Sequence, residues 1–262
     1  YIVLIIIKIV IYIIICLKNI CMKNNKDINL KISIITVVKN NENDIENNIK
    51  SLLNQSYDNY EHIIIDGSST DKTVDIIKKY ENNIHYWISE KDKGLYDAMN
   101  KGIDVATGDV IGILNSDDIF YKDALLYVKN YFQEYENIDF LFGTVIKYKK
   151  LFGFSPKKIL WSFGFYTSHS VGFFIKSKSQ KKLGYYNIKY KYSADYDLFY
   201  RMIVKQKMTG IATKENEVFG KFNSGGISSK IKFIDYLNEN TKIRIDNGQN
   251  ILFVYLIFSI RF

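Results

Sequence analysis

The chain has one proline and two cysteines among its 262 residues, and both cysteines, Cys16 and Cys21, lie in the N-terminal segment. They cannot frame the fold, which excludes a disulfide scaffold and a thiolate metal site. Arginine-rich tracts are missing as well. The positive charge is scattered lysine, which excludes a dedicated nucleic-acid binder. The stretch VVKNNEND, Val37 to Asp44, contains no glycine, so the glycine-rich phosphate loop of a nucleotidyltransferase is absent after the first strand-like run. The excess of isoleucine, asparagine, lysine and tyrosine reads as base composition of the genome rather than mechanism. What the chain does have is a net charge of +8 and a pI near 9.1. That balance favours an anionic partner: nucleic acid, acidic lipid or a phosphorylated small molecule.

The two ends are apolar. Tyr1 to Leu17 carries a single charge, Lys8, and lysines follow at 18, 23 and 26. At 1.5 Å per residue it reaches about 25 Å, marginal for a bilayer core of about 30 Å. A signal peptide fits poorly, because no basic region precedes the run and no small-residue cleavage site follows it. Two readings stay open for residues 1–22: a lysine-flanked membrane anchor, or a non-native extension ahead of a start at Met22. At the other end, ILFVYLIF within Asn250 to Phe262 predicts a helix. Packing back on the body is the expected arrangement, and the bilayer surface is the alternative.

Between these ends the pattern is regular. KISIITVVKN, Lys31 to Asn40, is a continuous β-branched run, as in a buried parallel strand. Ile45, Ile49, Leu52 and Leu53 recur at helical spacing, with Asn43 or Asp44 as N-cap. Strand Glu61–Ile65, helix Thr73–Tyr80, strand Ile84–Glu90, helix Leu95–Val105 and strand Val110–Leu114 follow. This alternation predicts a doubly wound α/β domain, whose ligands collect beyond the carboxyl ends of the strands. Those ends read VVKN, DGSSTD, SEKDKG and NSDD. All are polar and three carry carboxylates. The adjacent Asp117 and Asp118 have a bland explanation as a turn and a sharper one as ligands of a divalent metal.

Seven segments in this order, SIITVVKN, IIIDGSSTDKT, SEKDKGLYDAMNKGIDVATGD, ILNSDD, TSHSVGFFIK, SADYDLFYRM and NSGGIS, resemble family 2 glycosyltransferases of the GT-A fold. The likeness is to the branch that builds bacterial capsule, O-antigen, colanic-acid-type and other exopolysaccharides. It runs from about Lys31 to Ser229. The resemblance implies a nucleotide-sugar-binding half over 31–118, an acceptor half over 119–229 and a helical tail over 230–262.

It also implies a chemistry. An inverting glycosyltransferase moves a sugar from a nucleotide-sugar donor, most often a UDP-sugar, to a saccharide or lipid-linked saccharide. It works in the cytoplasm, at the inner face of the membrane where the acceptor is lipid-linked. The resemblance assigns Asp66 to the nucleobase, with Thr36 beside it; a turn and helix cap in DGSSTD is the competing role. Asp92, Asn100 and Lys101 fall where members contact nucleotide and donor sugar, although Lys101 also reads as a solvated helical lysine. NSDD corresponds to the DXD-type motif, with Asp117 as first ligand of Mn²⁺ or Mg²⁺ and Asp118 as second ligand or ribose contact. Asn115 stands where many members have aspartate, which removes one charge. Asp195, at a helix start, corresponds to the general base, with Ala194 where most members have glutamate. N-capping is the competing role for Asp195, and Asp197 reads as structural. His169 matches a histidine beside acceptor and diphosphate. The loop KFNSGGIS, Lys221 to Ser228, either closes over the donor or is a plain turn. A sugar-phosphate nucleotidyltransferase and a non-catalytic sugar-nucleotide-binding protein are the alternatives.

Overall fold

The structure, a computed structural model, describes residues 29–161, 165–223 and 231–262. The apolar segment Tyr1 to Leu17 and most of the KFNSGGIS loop therefore lie outside the described residues. Strand β1 (Ile32–Val38) is buried at every position, as a β-branched run covered on both faces requires. Helix α1 (Ile45–Leu53) turns Ile45, Ile49 and Leu52 of the predicted stripe inward, while Leu53, at the helix end, is exposed. Then come β2 (Tyr60–Asp66), α2 (Thr73–Lys79), β3 (Tyr86–Ser89), α3 (Leu95–Val105) and β4 (Val110–Ile113). The predicted alternation holds throughout this half, with boundaries displaced by one or two residues.

The second half is less regular. It runs β5 (Ile119–Phe120), α4 (Ala124–Glu134), β6 (Phe140–Phe142), β7 (Thr144–Ile146), β8 (Lys150–Leu151), β9 (Phe173–Lys176), α5 (Ser177–Leu183), α6 (Ala194–Tyr200), β10 (Gly210–Ala212) and β11 (Val218–Lys221). A seven-stranded sheet is ordered β10-β6-β9-β4-β1-β2-β3. Only β9 runs antiparallel to its neighbours β4 and β6. A four-stranded sheet, β5-β11-β7-β8, flanks it. Gly112 of β4 lets β9 approach: a Cβ there would meet the Phe174 ring at 2.5 Å.

Register brings the polar strand ends level. Asp66 pairs with Val38 on one side and Ser89 on the other. Ile113 pairs with Ile35, so the chain leaves β4 early and the acidic turn emerges beside those ends. At the opposite edge, Glu61 binds three segments together. It accepts from Ser33 Oγ at 2.5 Å, Thr107 N at 2.6 Å and Thr107 Oγ1 at 2.7 Å, and it pairs with Lys31 Nζ at 2.7 Å.

The tail forms α7 (Phe233–Asp246) and α8 (Ile251–Arg261). Helix α7 is integral to the fold: Leu237, Asn240, Ile243 and Arg244 are buried. Asn250 caps α8, accepting from Leu252 N and Phe253 N. The expected packing of α8 on the body is confined to a narrow edge, because only Val254 and Ile257 are buried. Leu252 and Ile260 point outward, 78% and 75% exposed. Among the described residues no helix is long and apolar enough to cross a membrane.

Burial pushes the Glu61 carboxyl up, but its Lys31, Ser33 and Thr107 donors outweigh that and bring it down to about 2. Glu61→Ala strands buried donors and is expected to cost about 2 kcal/mol. Since the folded value lies below the unfolded value of about 4.3, the carboxylate's contribution is complete above that pH and fades as pH falls towards 2. Denaturant unfolding checks the sign: the gap between Glu61→Gln and the parent protein at pH 7 is expected to shrink at pH 2.5.

Candidate active site

The acidic turn Asn115–Asp118 is fixed from three sides. Asn48 of α1, fully buried, donates through Nδ2 to the carbonyls of Asn115 at 2.8 Å and Asp118 at 2.9 Å. Asn41 Nδ2 donates to Ser116 Oγ at 2.9 Å. The Asn115 N–H donates to Ser170 Oγ at 2.8 Å. The carboxylates thus stand on a rigid turn. Asp118 is 1% exposed, and its Oδ1 accepts from the Asn223 N–H at 2.7 Å. Among the described residues, its Oδ2 and the Asn115 Oδ1 are buried oxygens with no donor.

Burial, then the charge of Asp117, push the Asp118 carboxyl up to about 7, with Ser170 and Asn223 offsetting part. Asp117 is also pushed up, by burial and then by Asp44. Orphaned hard oxygens beside clustered like charge fit a divalent cation. Asn115, Asp117 and Asp118 are the residues that can hold one. Among the described residues no three carboxylate or imidazole groups gather into a metal site, so such a cation needs further oxygens from its ligand. A groove of about 700 Å³ opens from Asp117 along α1, past Lys50, Lys122 and Lys221.

The neighbouring strand ends carry a second acidic station. Asp66 is fully buried and accepts from Ser69 N at 3.0 Å, Ser69 Oγ at 2.5 Å and Ser89 Oγ at 2.5 Å. Asp92 lies over Gly67, where a Cβ would come within 2.3 Å of its Oδ2, and its Oδ1 accepts from the Gly94 N–H at 2.8 Å. Asp66 and Asp92 are therefore brought together at one edge.

Thr36, Asn100 and Lys101 are engaged elsewhere. The Thr36 hydroxyl is buried under α1, 3.3 Å from Asn48 Oδ1 and 3.0 Å from His62 Nε2. Asn100 grips the backbone of Tyr186 with both ends of its amide, at 2.9 Å each. Lys101 pairs with Glu90 at 2.6 Å and donates to the Lys91 carbonyl at 3.0 Å, bracing the loop before α3.

Asp195 sits in the first turn of α6, with Ser193 at the N-cap position and no side-chain cap bond there. It therefore does not cap. Its Oδ1 receives the Tyr96 hydroxyl at 3.1 Å and the Tyr196 N–H at 2.9 Å. Its Oδ2 receives the Tyr166 hydroxyl at 3.3 Å. His169 Nε2 is 2.7 Å from the Tyr186 hydroxyl, and burial lowers the His169 pKa while Asp195 draws it back up. Asp197, two residues on, is buried between Arg201 Nε and Asn247 Nδ2, each at 2.9 Å. Sequence reasoning missed Tyr96, Tyr166, Tyr186 and Asn48. Among 21 tyrosines nothing marks three of them, and Asn48 reads as one more polar helix residue.

The segment 167–171 joins the two stations, with Ser170 against the acidic turn and His169 within reach of Asp195's charge. It ends at Val171, a β-branched residue at φ 68°, a conformation that costs about 1–3 kcal/mol and persists only where its surroundings enforce it. The Val171 N–H is held by the Ile113 carbonyl at 3.0 Å.

Known proteins share this arrangement of chain. A family model described as Glycosyl transferase family 2 matches residues 33–195. A PGL/p-HBAD biosynthesis glycosyltransferase of Mycobacterium tuberculosis is 29% identical over 213 residues, covering 75% of this chain and 80% of its own. TuaG of Bacillus subtilis, named for teichuronic acid biosynthesis, is 39% identical over 97 residues, 36% of this chain and 38% of its own. Among solved structures, S. aureus TarS 1-349 in complex with UDP-GlcNAc superimposes with a TM-score of 0.68 at 16% identity, covering 88% of this chain and 71% of that one. The mannosyltransferase PcManGT from Pyrobaculum calidifontis, in complex with GDP-Man and Mn²⁺, gives 0.61 at 15% identity, covering 87% and 68%. In the longer TarS structure, the match spans 43% of that chain.

The raised Asp118 carboxyl makes the folded state less favourable as pH climbs from about 4 to about 7, because the unfolded carboxyl ionises first. Asp118→Asn removes that burden. In the presence of a chelator the variant is expected to melt a few degrees higher than the parent protein at pH 8 and at the same temperature at pH 4. Calorimetry at the two pH values measures it, and a gain at pH 4 alone contradicts it.

Proposed function

The chain belongs to glycosyl transferase family 2 and has the GT-A fold, and on that premise we propose that it is an inverting, metal-dependent hexosyltransferase. The observation that carries the proposal is the pairing of two unlike carboxylate stations. One, at Asn115 to Asp118, has two buried oxygens, Asn115 Oδ1 and Asp118 Oδ2, without a donor among the described residues. The other, at Asp195, has donors on both. A strap through Ser170 and His169 joins them.

In this reading Asp66 and Asp92 hold the nucleoside, and Thr36 acts from beneath by supporting Asn48. Lys101 fixes the loop on which Asp92 stands, and Asn100 fixes the Tyr186 backbone beside His169. Asp117 and Asp118 would hold a Mn²⁺ or Mg²⁺, which would supply positive charge opposite the diphosphate. Asp195 accepts the proton of the acceptor hydroxyl while that oxygen attacks the anomeric carbon from the face opposite the diphosphate. The bond from that carbon to the diphosphate oxygen breaks, and the sugar is carried over with inversion. His169 stands beside the acceptor.

A UDP-sugar donor is supported by the UDP-GlcNAc complex of TarS, and the cation by the Mn²⁺ complex of PcManGT. The acceptor is a saccharide or lipid-linked saccharide of a bacterial surface polysaccharide, a reading supported by the naming of TuaG. Transfer then takes place at the cytoplasmic face of the membrane. The outward apolar side of α8 and the net charge of +8 suit contact with an anionic surface there.

Thermal shift against UDP-glucose, UDP-galactose, UDP-N-acetylglucosamine and GDP-mannose with Mn²⁺ identifies the donor. Asp195→Asn is then expected to lower transfer by roughly 10²- to 10⁴-fold, the range for loss of a general base, with the melting temperature unchanged. Asp117→Ala is expected to abolish transfer and the Mn²⁺-dependent part of donor binding. A fully active Asp195→Asn overturns the assignment of the base.

A further inference from the structure

We propose that Tyr96 and Tyr166 are positioning residues that hold the Asp195 carboxylate in the orientation its role demands. The inference rests on the reading of Asp195 as the base. A carboxylate on the first turn of a helix is otherwise free to rotate about its last bonds. Here three donors from three segments meet it: Tyr96 from α3, Tyr166 from the strap region and the Tyr196 N–H of its own helix. Both oxygens are engaged, so the plane of the carboxylate is set.

Among the described residues, the groups facing Asp195 are all neutral donors or rings. They are Tyr96 of α3, Tyr166 and His169, Tyr186 of the loop between α5 and α6, and Tyr236 of α7, whose pKa values respond to the Asp195 charge. The nearby cations are directed elsewhere: Arg201 binds Asp197, and Arg244 lies 5.3 Å over the Tyr196 ring. Burial, then the Asp195 charge, hold the Tyr96 and Tyr166 phenols protonated far above the ordinary tyrosine range. They stay donors at any pH at which the protein works.

Tyr96 has a second acceptor, the Tyr192 carbonyl, also at 3.1 Å. Its one proton serves one of the two at a time. While Asp195 is an anion the proton belongs on Asp195. Once Asp195 has taken the acceptor's proton, the phenol can turn to Tyr192. A buried hydroxyl thereby keeps a partner in both states, and the proton transfer leaves no orphaned donor behind.

Tyr96 also ties the base to the donor edge. The turn from Asp92 to Gly94 opens α3, and Tyr96 is the second residue of that helix. Its ring stacks on Tyr186 at 5.6 Å, the residue that holds His169. Displacement of the first turn of α3 is therefore felt at Asp195.

The test uses Tyr96→Phe and Tyr166→Phe, which delete only the hydroxyls. The assay follows nucleoside diphosphate release from the sugar nucleotide giving the largest thermal shift in the panel above. In Tyr96→Phe kcat is expected to fall about 10- to 100-fold, with a smaller fall in Tyr166→Phe. The donor KM is expected to stay within about twofold and the melting temperature to hold, because neither hydroxyl touches the donor edge. The acidic limb of the rate profile is expected to move to higher pH, since hydrogen bonds to the charged form favour it and their loss does the opposite. An unmoved limb with unchanged kcat in Tyr96→Phe, alongside an inactive Asp195→Asn, overturns the positioning role and leaves the base intact. A fully active Asp195→Asn overturns both. A kcat loss that comes with a lower melting temperature and an unmoved limb assigns the tyrosines to packing alone and also overturns the proposal.

Discussion

The acidic turn after β4 stands where it does because the Asn48 side chain commits its amide to it. Nδ2 donates to the Asn115 and Asp118 carbonyls, while Oδ1 receives the Thr36 hydroxyl. Thr36 in turn meets His62, which burial and then the neighbouring His85 bring down to about 3. His62 therefore stays uncharged through the whole neutral range, and the layer beneath the turn does not change charge when pH does. A polar ladder runs from β2 through β1 and α1 to the turn. Were the turn loose, Asp117 and Asp118 would swing apart into water and lose their raised pKa values. The ladder forbids that, so the like charges stay confined until a cation or a proton compensates them.

The same residue type is thus prepared in two opposite ways. Asp118 is buried with one oxygen lacking a donor, an arrangement whose charged form is unfavourable without a counter-ion. Asp195 is half-buried with donors on both oxygens, an arrangement that fixes the plane of its carboxylate. Separation of carboxylates by environment lets one protein give two aspartates different chemistry, and the proposed cation and base roles rest on that difference. The strained segment at Val171 stands between them. Its backbone is pinned to Ile113 at the end of β4, so the distance between the two stations is set by the sheet rather than by a free loop.

Much of this was legible in the chain. The parallel half was readable because β1, β2 and β4 carry β-branched runs and its helices carry apolar stripes. Asp66, Asp117 and Asp118 stand where those runs stop on polar residues, whereas Asp195 was singled out by the resemblance of SADYDLFYRM alone. Thr36 could not be oriented, because a strand buried on both faces has no alternation to show which way a side chain points. Asn100 and Lys101 occupy helical positions suited to contact with a ligand or with the protein's own loops, and only their partners distinguish the two. The four-stranded sheet escaped notice because β5, β7 and β8 are two or three residues long, too short to carry a period. Helix α7 reads as part of a tail, yet its Tyr236 responds to the Asp195 charge and its Ile243 belongs to the main core.

The rigidity of the Asp195 station comes from the other aspartate of the same helix. Two residues apart, Asp195 and Asp197 project about 200° from one another around the axis. One faces the tyrosines, and the other faces the interior. Asp197 is 2% exposed, locked to Arg201 one turn on and to Asn247 past the end of α7. Arg201 extends the lock to the carbonyls of Leu183 and Tyr185, at 2.8 and 2.7 Å. Tyr185 adjoins Tyr186, whose backbone Asn100 holds from α3. The inward aspartate therefore anchors α6, through one guanidinium, to the loop that seats His169 and to the helix that carries Tyr96. Asp197 thereby ties Asp195, His169 and Tyr96 together, and rotation of α6 by even part of a turn would break the inner lock before it moved the outer carboxylate.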